Sequence, residues 1–131
     1  MSNISDIAPC AVSLTGLTGA KYNTAALSST TASAGQLSGA VVCVMNNSGA
    51  NPGTYTTRTA AEMIADSGLQ VGQAYLVILA NGQATGTLTL AGGTGVTITG
   101  TATVAVNTAR TYTVTVTGGA TITFQNVCGA V

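Results

Sequence analysis

The sequence has no histidine and no tryptophan, one phenylalanine, two prolines, and only three basic and three acidic residues. The charges are Lys21, Arg58 and Arg110 against Asp6, Glu62 and Asp66. Each scarcity excludes something. Without histidine there is no Ser-His-Asp triad and no imidazole ligand for a metal. Three basic residues cannot track a phosphate backbone, which excludes a nucleic-acid groove. The longest apolar run, Ala74 to Ala80, falls far short of the ~20 residues of a membrane helix. The first ten residues, MSNISDIAPC, lack a basic n-region and a long apolar core, so no signal peptide is expected. Charged residues make up 5% of the chain, where a soluble domain carries ~25%. Yet 46% of it is apolar, the opposite of a disordered composition. The chain is expected to fold as one domain. Its wetted surface must be built from Thr, Ser, Asn, Gln, Gly and backbone. A net charge near zero promotes association, so that surface is expected to be committed to other chains.

What is abundant is small and hydroxylated: 24 threonines, 21 alanines and 17 glycines. Residues 1–9, with Ile4 and Ile7 and ending at Pro9, read as an extended arm. Cys10 to Leu14 and Lys21 to Leu27 read as short strands, Ser28 to Gly35 as loop, and Ala40 to Met45 (AVVCVM) as a buried strand bounded by turn residues. One helix is signalled at about residues 60–67. Thr59 and Glu62 have the spacing of a capping box, Gly68 supplies a left-handed stop, and Met63 and Ile64 are the side chains to bury. Ala74 to Ala80 should be a central strand. Beyond it the apolar period becomes two. Leu88 and Leu90, Val96 and Ile98, Ala102 with Val104 and Val106, Tyr112 with Val114 and Val116, and Ala120 with Ile122 and Phe124 form inward rows, with threonines between them. Gly92 to Gly95, Asn107 to Arg110 and Gly118-Gly119 read as hairpin connections, and Gly100 as a bulge or corner. About eight strands at this spacing predict an all-β protein: an antiparallel β-sandwich of jelly-roll type with one short helix, occupying residues 10–131 behind the arm of residues 1–9.

Few constellations could carry chemistry. Glu62 and Asp66 are i and i+4 on the helix and share a face, which suits a solvated face better than a catalytic pair flanking a cleft. AGGTGV (91–96) has neither the Lys-Ser/Thr of a phosphate loop nor a helix after it. Cys10, Cys43 and Cys128 are odd in number and widely spaced, so they form no disulfide framework. Each has an apolar neighbour, which predicts buried free thiols, and without a CxxC pair they make a poor metal site. No catalytic residue, metal or cofactor is expected. Arg58 and Arg110 either stand in solvent or anchor a partner's carboxylate or backbone. Tyr22, Tyr55 and Tyr112 suit an interface rim and a core edge equally. The candidate interface residues are Ile4, Ile7, Tyr22, Tyr55, Arg58 and Arg110, with the arm able to add a strand to a neighbour's sheet edge.

From Pro52 to Phe124 the sequence PGTYTTRTAAEMIAD, the strand AYLVILA, and LTLAGGTGVTITGTATVAVNTARTYTVTVTGGATITF resemble small β-rich virion proteins of tailed bacteriophages. The resemblance is to the capsid cement, or decoration, proteins of short-tailed phages in particular. It implies a non-enzymatic subunit on the outside of an icosahedral shell of HK97-type major capsid protein, bridging neighbouring capsomers. It also implies a homo-oligomer (a dimer in preference to a trimer) that touches neither nucleic acid nor membrane and is assembled in the bacterial cytoplasm. The runner-up is a head-fibre or tail adhesin module binding a host glycan. Third is an ice-binding surface built from the Thr-x-Thr pairs.

Overall fold

A computed structural model of the chain describes residues 19–27, 29–48, 53–82 and 85–128. The arm of residues 1–9 with Ile4 and Ile7, and the strand expected at Cys10 to Leu14, lie outside the described residues. In chain order the elements are β1 (Ala20–Ala25), β2 (Thr30–Thr31), β3 (Val42–Asn47), β4 (Thr54–Thr56), α1 (Ala60–Ser67), β5 (Ala74–Asn81), β6 (Leu88–Ala91), β7 (Val96–Thr99), β8 (Thr103–Val104), β9 (Thr108–Gly118) and β10 (Thr121–Cys128). They make a six-stranded sheet, β1-β3-β5-β9-β10-β7, and a four-stranded sheet, β2-β4-β6-β8. The protein is thus mostly β with one short helix at the expected place.

The antiparallel part of the expectation is corrected: both sheets are mixed. β1, β3 and β5 run parallel in one sheet while β2, β4 and β6 run parallel in the other. Among the described residues only β5–β9, β9–β10 and β6–β8 are antiparallel, and β7 joins β10 in parallel. The reason is the path of the chain. From β1 to β6 successive strands alternate between sheets, so each return leg lies in the other sheet and the next strand arrives pointing the same way. Antiparallel neighbours arise when consecutive strands fold back directly, as β9 and β10 do. Apolar periodicity specifies which face of a strand is buried and says nothing of its direction.

The connections show the same thing. Gly92 to Gly95, expected as a hairpin, carries the chain from β6 in one sheet to β7 in the other. The Asn107 turn likewise crosses from β8 to β9, and Thr108 to Arg110 already belong to β9. The hairpin at Gly118 is present but displaced by one residue, with Gly119 and Ala120 as its loop. Gly100 sits at the corner between β7 and β8. The stretch expected as loop from Ser28 to Gly35 contains β2, and Thr54 to Thr56 forms a strand although ladders this short carry no period. Val106, expected inward, is exposed.

One apolar core draws on both sheets. Cys43, Met45, Val77, Leu79, Tyr112, Val114 and Phe124 come from the larger sheet, and Tyr55, Leu88, Leu90 and Val104 from the smaller. Tyr112 and Phe124 meet edge to face, with ring centroids 6.2 Å apart. Helix α1 seats Ala60 and Met63 in this core. Its capping box is formed: the Thr59 hydroxyl accepts from the Glu62 N–H, and the Glu62 carboxylate accepts from the Thr59 N–H. Gly68, at φ 70°, closes the helix in the left-handed region, its N–H donating to the Ile64 carbonyl. A helix of two turns does not stand alone. It is docked by the Ala60 N–H on the Thr94 carbonyl and the Gly93 N–H on the Thr57 hydroxyl, both at 2.8 Å. A Cβ at Gly93 would lie 2.7 Å from the Thr57 and Arg58 carbonyls, so glycine is needed for that approach.

β3 and β5 end in paired, fully buried asparagines, Asn47 and Asn81. The Asn47 amide accepts from the Leu27 N–H (3.0 Å) and donates to the Asn81 oxygen (3.1 Å). The Asn81 amide in turn donates to the carbonyls of Gly86 (3.0 Å) and Val104 (3.1 Å). This chain of bonds joins adjacent strands of one sheet and ties them to β8 in the other. Asn81→Ala removes a side chain that three partners depend on. With each buried group left unpaired costing about 1–3 kcal/mol, we expect a stability loss of roughly 3 kcal/mol or more by urea denaturation.

Candidate binding surface

All three cations are occupied within the chain. The Arg58 guanidinium lies 3.0 Å from Glu62 through Nη2 and 3.2 Å from Asp66 through Nε. The second contact is an ion pair without hydrogen-bond alignment. The acids that share a helix face thus converge on one arginine and clip the residue before the cap to the helix. Arg110 donates from Nε to the Thr103 carbonyl and fastens β9 to β8 across the two sheets. Lys21 donates to the carbonyls of Gly35 and Ser38, holding the loop that returns to β3.

The tyrosines divide in the same way. Tyr55 is buried, its hydroxyl donating to Gln36 at 2.7 Å, and burial pushes its phenol well above the ordinary value. Tyr75 donates to the Leu37 carbonyl at 2.6 Å and Tyr112 to the Thr101 carbonyl at 3.0 Å; burial raises both phenols. Tyr22, on β1, is 66% exposed. Among the candidate interface residues, then, Tyr22 is presented to solvent, Tyr55 is core, Arg58 is ion-paired, Arg110 is half-buried as an internal clasp, and Ile4 and Ile7 lie outside the described residues. The four described ones stand on separate segments: β1, β4, the residue before the α1 cap, and β9. Of the cysteines, Cys43 is a buried free thiol whose ionisation is suppressed chiefly by desolvation. Cys10 and the Cys128 side chain lie outside the described residues.

What the structure does assemble is the outward face of the six-stranded sheet. Registers place Tyr22, Val44, Ile78 and Thr111 in one row, and Ala20, Val42, Leu76, Thr113, Gln125 and Thr99 in the next. A third row runs Ala74, Thr115, Thr123 and Thr97. No charged side chain stands in any of them. Half the face is apolar, on β1, β3 and β5. The other half is hydroxyl, on β9, β10 and β7, with side chains ~4.8 Å apart from strand to strand. The Thr-x-Thr alternation signalled the hydroxyl half. The registration of three separate strands into rows had no sequence signal, because it depends on the ladder directions.

Beside α1, Ala40, Val41, Asp66, Leu69, Gln73 and Tyr75 help line an open cavity of about 500 Å³. Its carboxylate, Asp66, is already paired with Arg58. Among the described residues, no three His, Cys, Asp or Glu side chains come together as a metal site, and no helix is long and apolar enough to cross a membrane. No protein-family model, curated protein or solved structure matches the chain.

Two outcomes are expected. Tyr22→Ala should change stability by no more than ~0.5 kcal/mol, whereas Tyr55→Ala should cost ~3–5 kcal/mol, both by urea denaturation. The Glu62 carboxyl is held below its ordinary 4.5 first by the Thr59 N–H, then by the Thr59 hydroxyl and last by Arg58. A depressed carboxyl stabilises the fold fully above its unfolded value and loses that effect as pH falls through the folded one. Glu62→Gln should therefore flatten the acid limb of a Tm-against-pH curve.

Proposed function

We propose that this chain is a structural virion subunit. It binds the outside of a phage capsid shell of HK97-type major capsid protein and cements neighbouring subunits by non-covalent contacts, without cofactor or catalysis. The reading rests on the resemblance of residues 52–124 to capsid cement proteins, and the observation that carries it is the charge-free outer sheet face. Packing such a face against another protein strands no unpaired ion, and its hydroxyls can exchange hydrogen bonds with a partner's backbone or with bridging water. On a lattice that repeats every contact many times, modest interfaces suffice. The subunit acts as a homo-oligomer, a dimer in preference to a trimer, on the virion surface after assembly in the bacterial cytoplasm. Residues 10–131 form a single domain in this reading. A face-to-face sandwich of the two sheets is supported by the core they share, while the parallel ladders argue against its jelly-roll form.

The hydroxyl half is the part offered to the shell. A second reading, a threonine array that orders water at an ice surface, gains from one observation: Thr115, Thr123 and Thr97 fall in a single row.

The test is co-sedimentation with purified shells. The subunit should bind mature shells and raise the temperature at which particles open. Thr115→Arg combined with Thr123→Arg should keep the fold and weaken binding about tenfold or more, ~1.4 kcal/mol. A subunit that binds no shell at any stage of expansion would sink the proposal. Thermal hysteresis would favour the ice-binding reading, and glycan binding an adhesin.

A further inference from the structure

The sequence holds one Asn-Gly pair, Asn81-Gly82, and it lies in the chain of buried amides that joins β3, β5 and β8. Such a pair has a chemistry of its own. The Gly82 backbone nitrogen can attack the Asn81 side-chain carbonyl carbon, forming a C–N bond as the bond from that carbon to Nδ2 breaks. Nδ2 leaves as ammonia with the proton lost by the Gly82 nitrogen. Water then opens the resulting cyclic imide at either carbonyl, leaving aspartate or isoaspartate at position 81. Glycine makes the attack easy because no side chain shields its nitrogen. The pair is also hard to replace. A Cβ at residue 82 would lie 3.2 Å from the Asn46 side-chain oxygen, and the Asn81 amide serves three partners.

In the folded protein this ring closure is blocked. Asn81 is fully buried, away from water. Its Nδ2 donates to the Gly86 and Val104 carbonyls and its Oδ1 accepts from Asn47, so the side chain is fixed at three points. Its backbone is laddered to Asn47 on one side and to Thr108 on the other, which holds it extended. Swinging the Gly82 nitrogen onto the side-chain carbon breaks these bonds. Unfolding removes them all at once. The product cannot return. An aspartate at 81 has no hydrogens for the Gly86 and Val104 carbonyls, and it sets a buried carboxylate against two carbonyl oxygens. Isoaspartate also adds a carbon to the main chain and puts β5 out of step with its neighbours. Chemical change of the unfolded state drains a folding equilibrium in one direction.

We propose that Asn81-Gly82 is a latent deamidation site, closed by the native fold and open in the unfolded chain, where its conversion withdraws that chain from folding. The inference does not depend on the capsid reading. The full-length chain is incubated at mildly alkaline pH, either folded in buffer or unfolded in guanidinium chloride. Residues 81 and 107 are then followed by peptide mass mapping. Asn107 is the internal control, exposed in the fold but followed by the β-branched Thr108. Asn81 should convert about a hundredfold or more slowly in the folded chain, because modification there needs an opened state. In denaturant it should convert several-fold faster than Asn107. After the denaturant is diluted away, converted chains should be absent from the refolded fraction. Equal rates at Asn81 in folded and unfolded chains would overturn the proposal, as would converted chains that refold with an unchanged Tm. Two variants separate the chemistry from the fold. Gly82→Ala should slow conversion in denaturant several-fold, and no slowing would exclude the ring closure. Asn81→Asp should fail to refold at neutral pH, and native stability in that variant would exclude the one-way step.

Discussion

Two buried side-chain amides hold the place where the chain passes between its sheets. Asn47 and Asn81 end neighbouring parallel strands, and between them they bond to the backbone of two connections and of β8 as well as to each other. An apolar core drives collapse without choosing a register, since a parallel strand can slide by two residues and keep its buried face. The amides remove that freedom. A slip of β3 against β5 would separate them and leave buried donors and acceptors empty. The alternation of strands between the sheets, and the outward rows that follow from it, depend on that match.

The sequence spoke clearly wherever a signal was local. The Thr59–Glu62 capping box, the Gly68 stop, the central strand from Ala74 and the inward rows Tyr112–Val114–Val116 and Ile122–Phe124 lie where their patterns place them, while Ala120 falls in the hairpin loop and is exposed. It was silent on direction. Parallel and antiparallel strands share one period, so the antiparallel expectation had no support from the pattern of β1 to β6, and the residues bounding Ala40 to Met45 read as turn residues. Burial makes Asn47 and Asn81 the reverse of turn residues. The candidate surface was half legible for the same reason. Threonine alternation reveals that a hydroxyl face exists, whereas its rows are assembled from residues up to 26 apart, as the Thr99–Gln125 contact shows.

The scarcity of charge also has a clear disposition. Arg58 serves α1, Arg110 clasps one sheet to the other, and Lys21 pins a loop. Each was conspicuous in the sequence as a possible anchor for a partner. Instead, each binds groups of its own chain at a place where the fold has a seam. This leaves the outer face of the larger sheet, among the described residues, free of ions, with aliphatic, hydroxyl and carboxamide groups and the Tyr22 phenol as its chemistry.

The wound arrangement of β1 to β6 also decides the order in which contacts become affordable to a chain that is still searching. The β9–β10 hairpin closes across two residues, while Asn47 meets Asn81 only after a loop of 34 has been drawn together. Loop closure of that kind is paid in entropy before any bond returns it. The hairpin is therefore the natural template, β5 its first recruit, and β3 and β1 later layers added outward from it. During that interval the edge of β5 is bare, and a second molecule at the same stage offers it an identical strand. A chain built this way is safest when it folds while dilute.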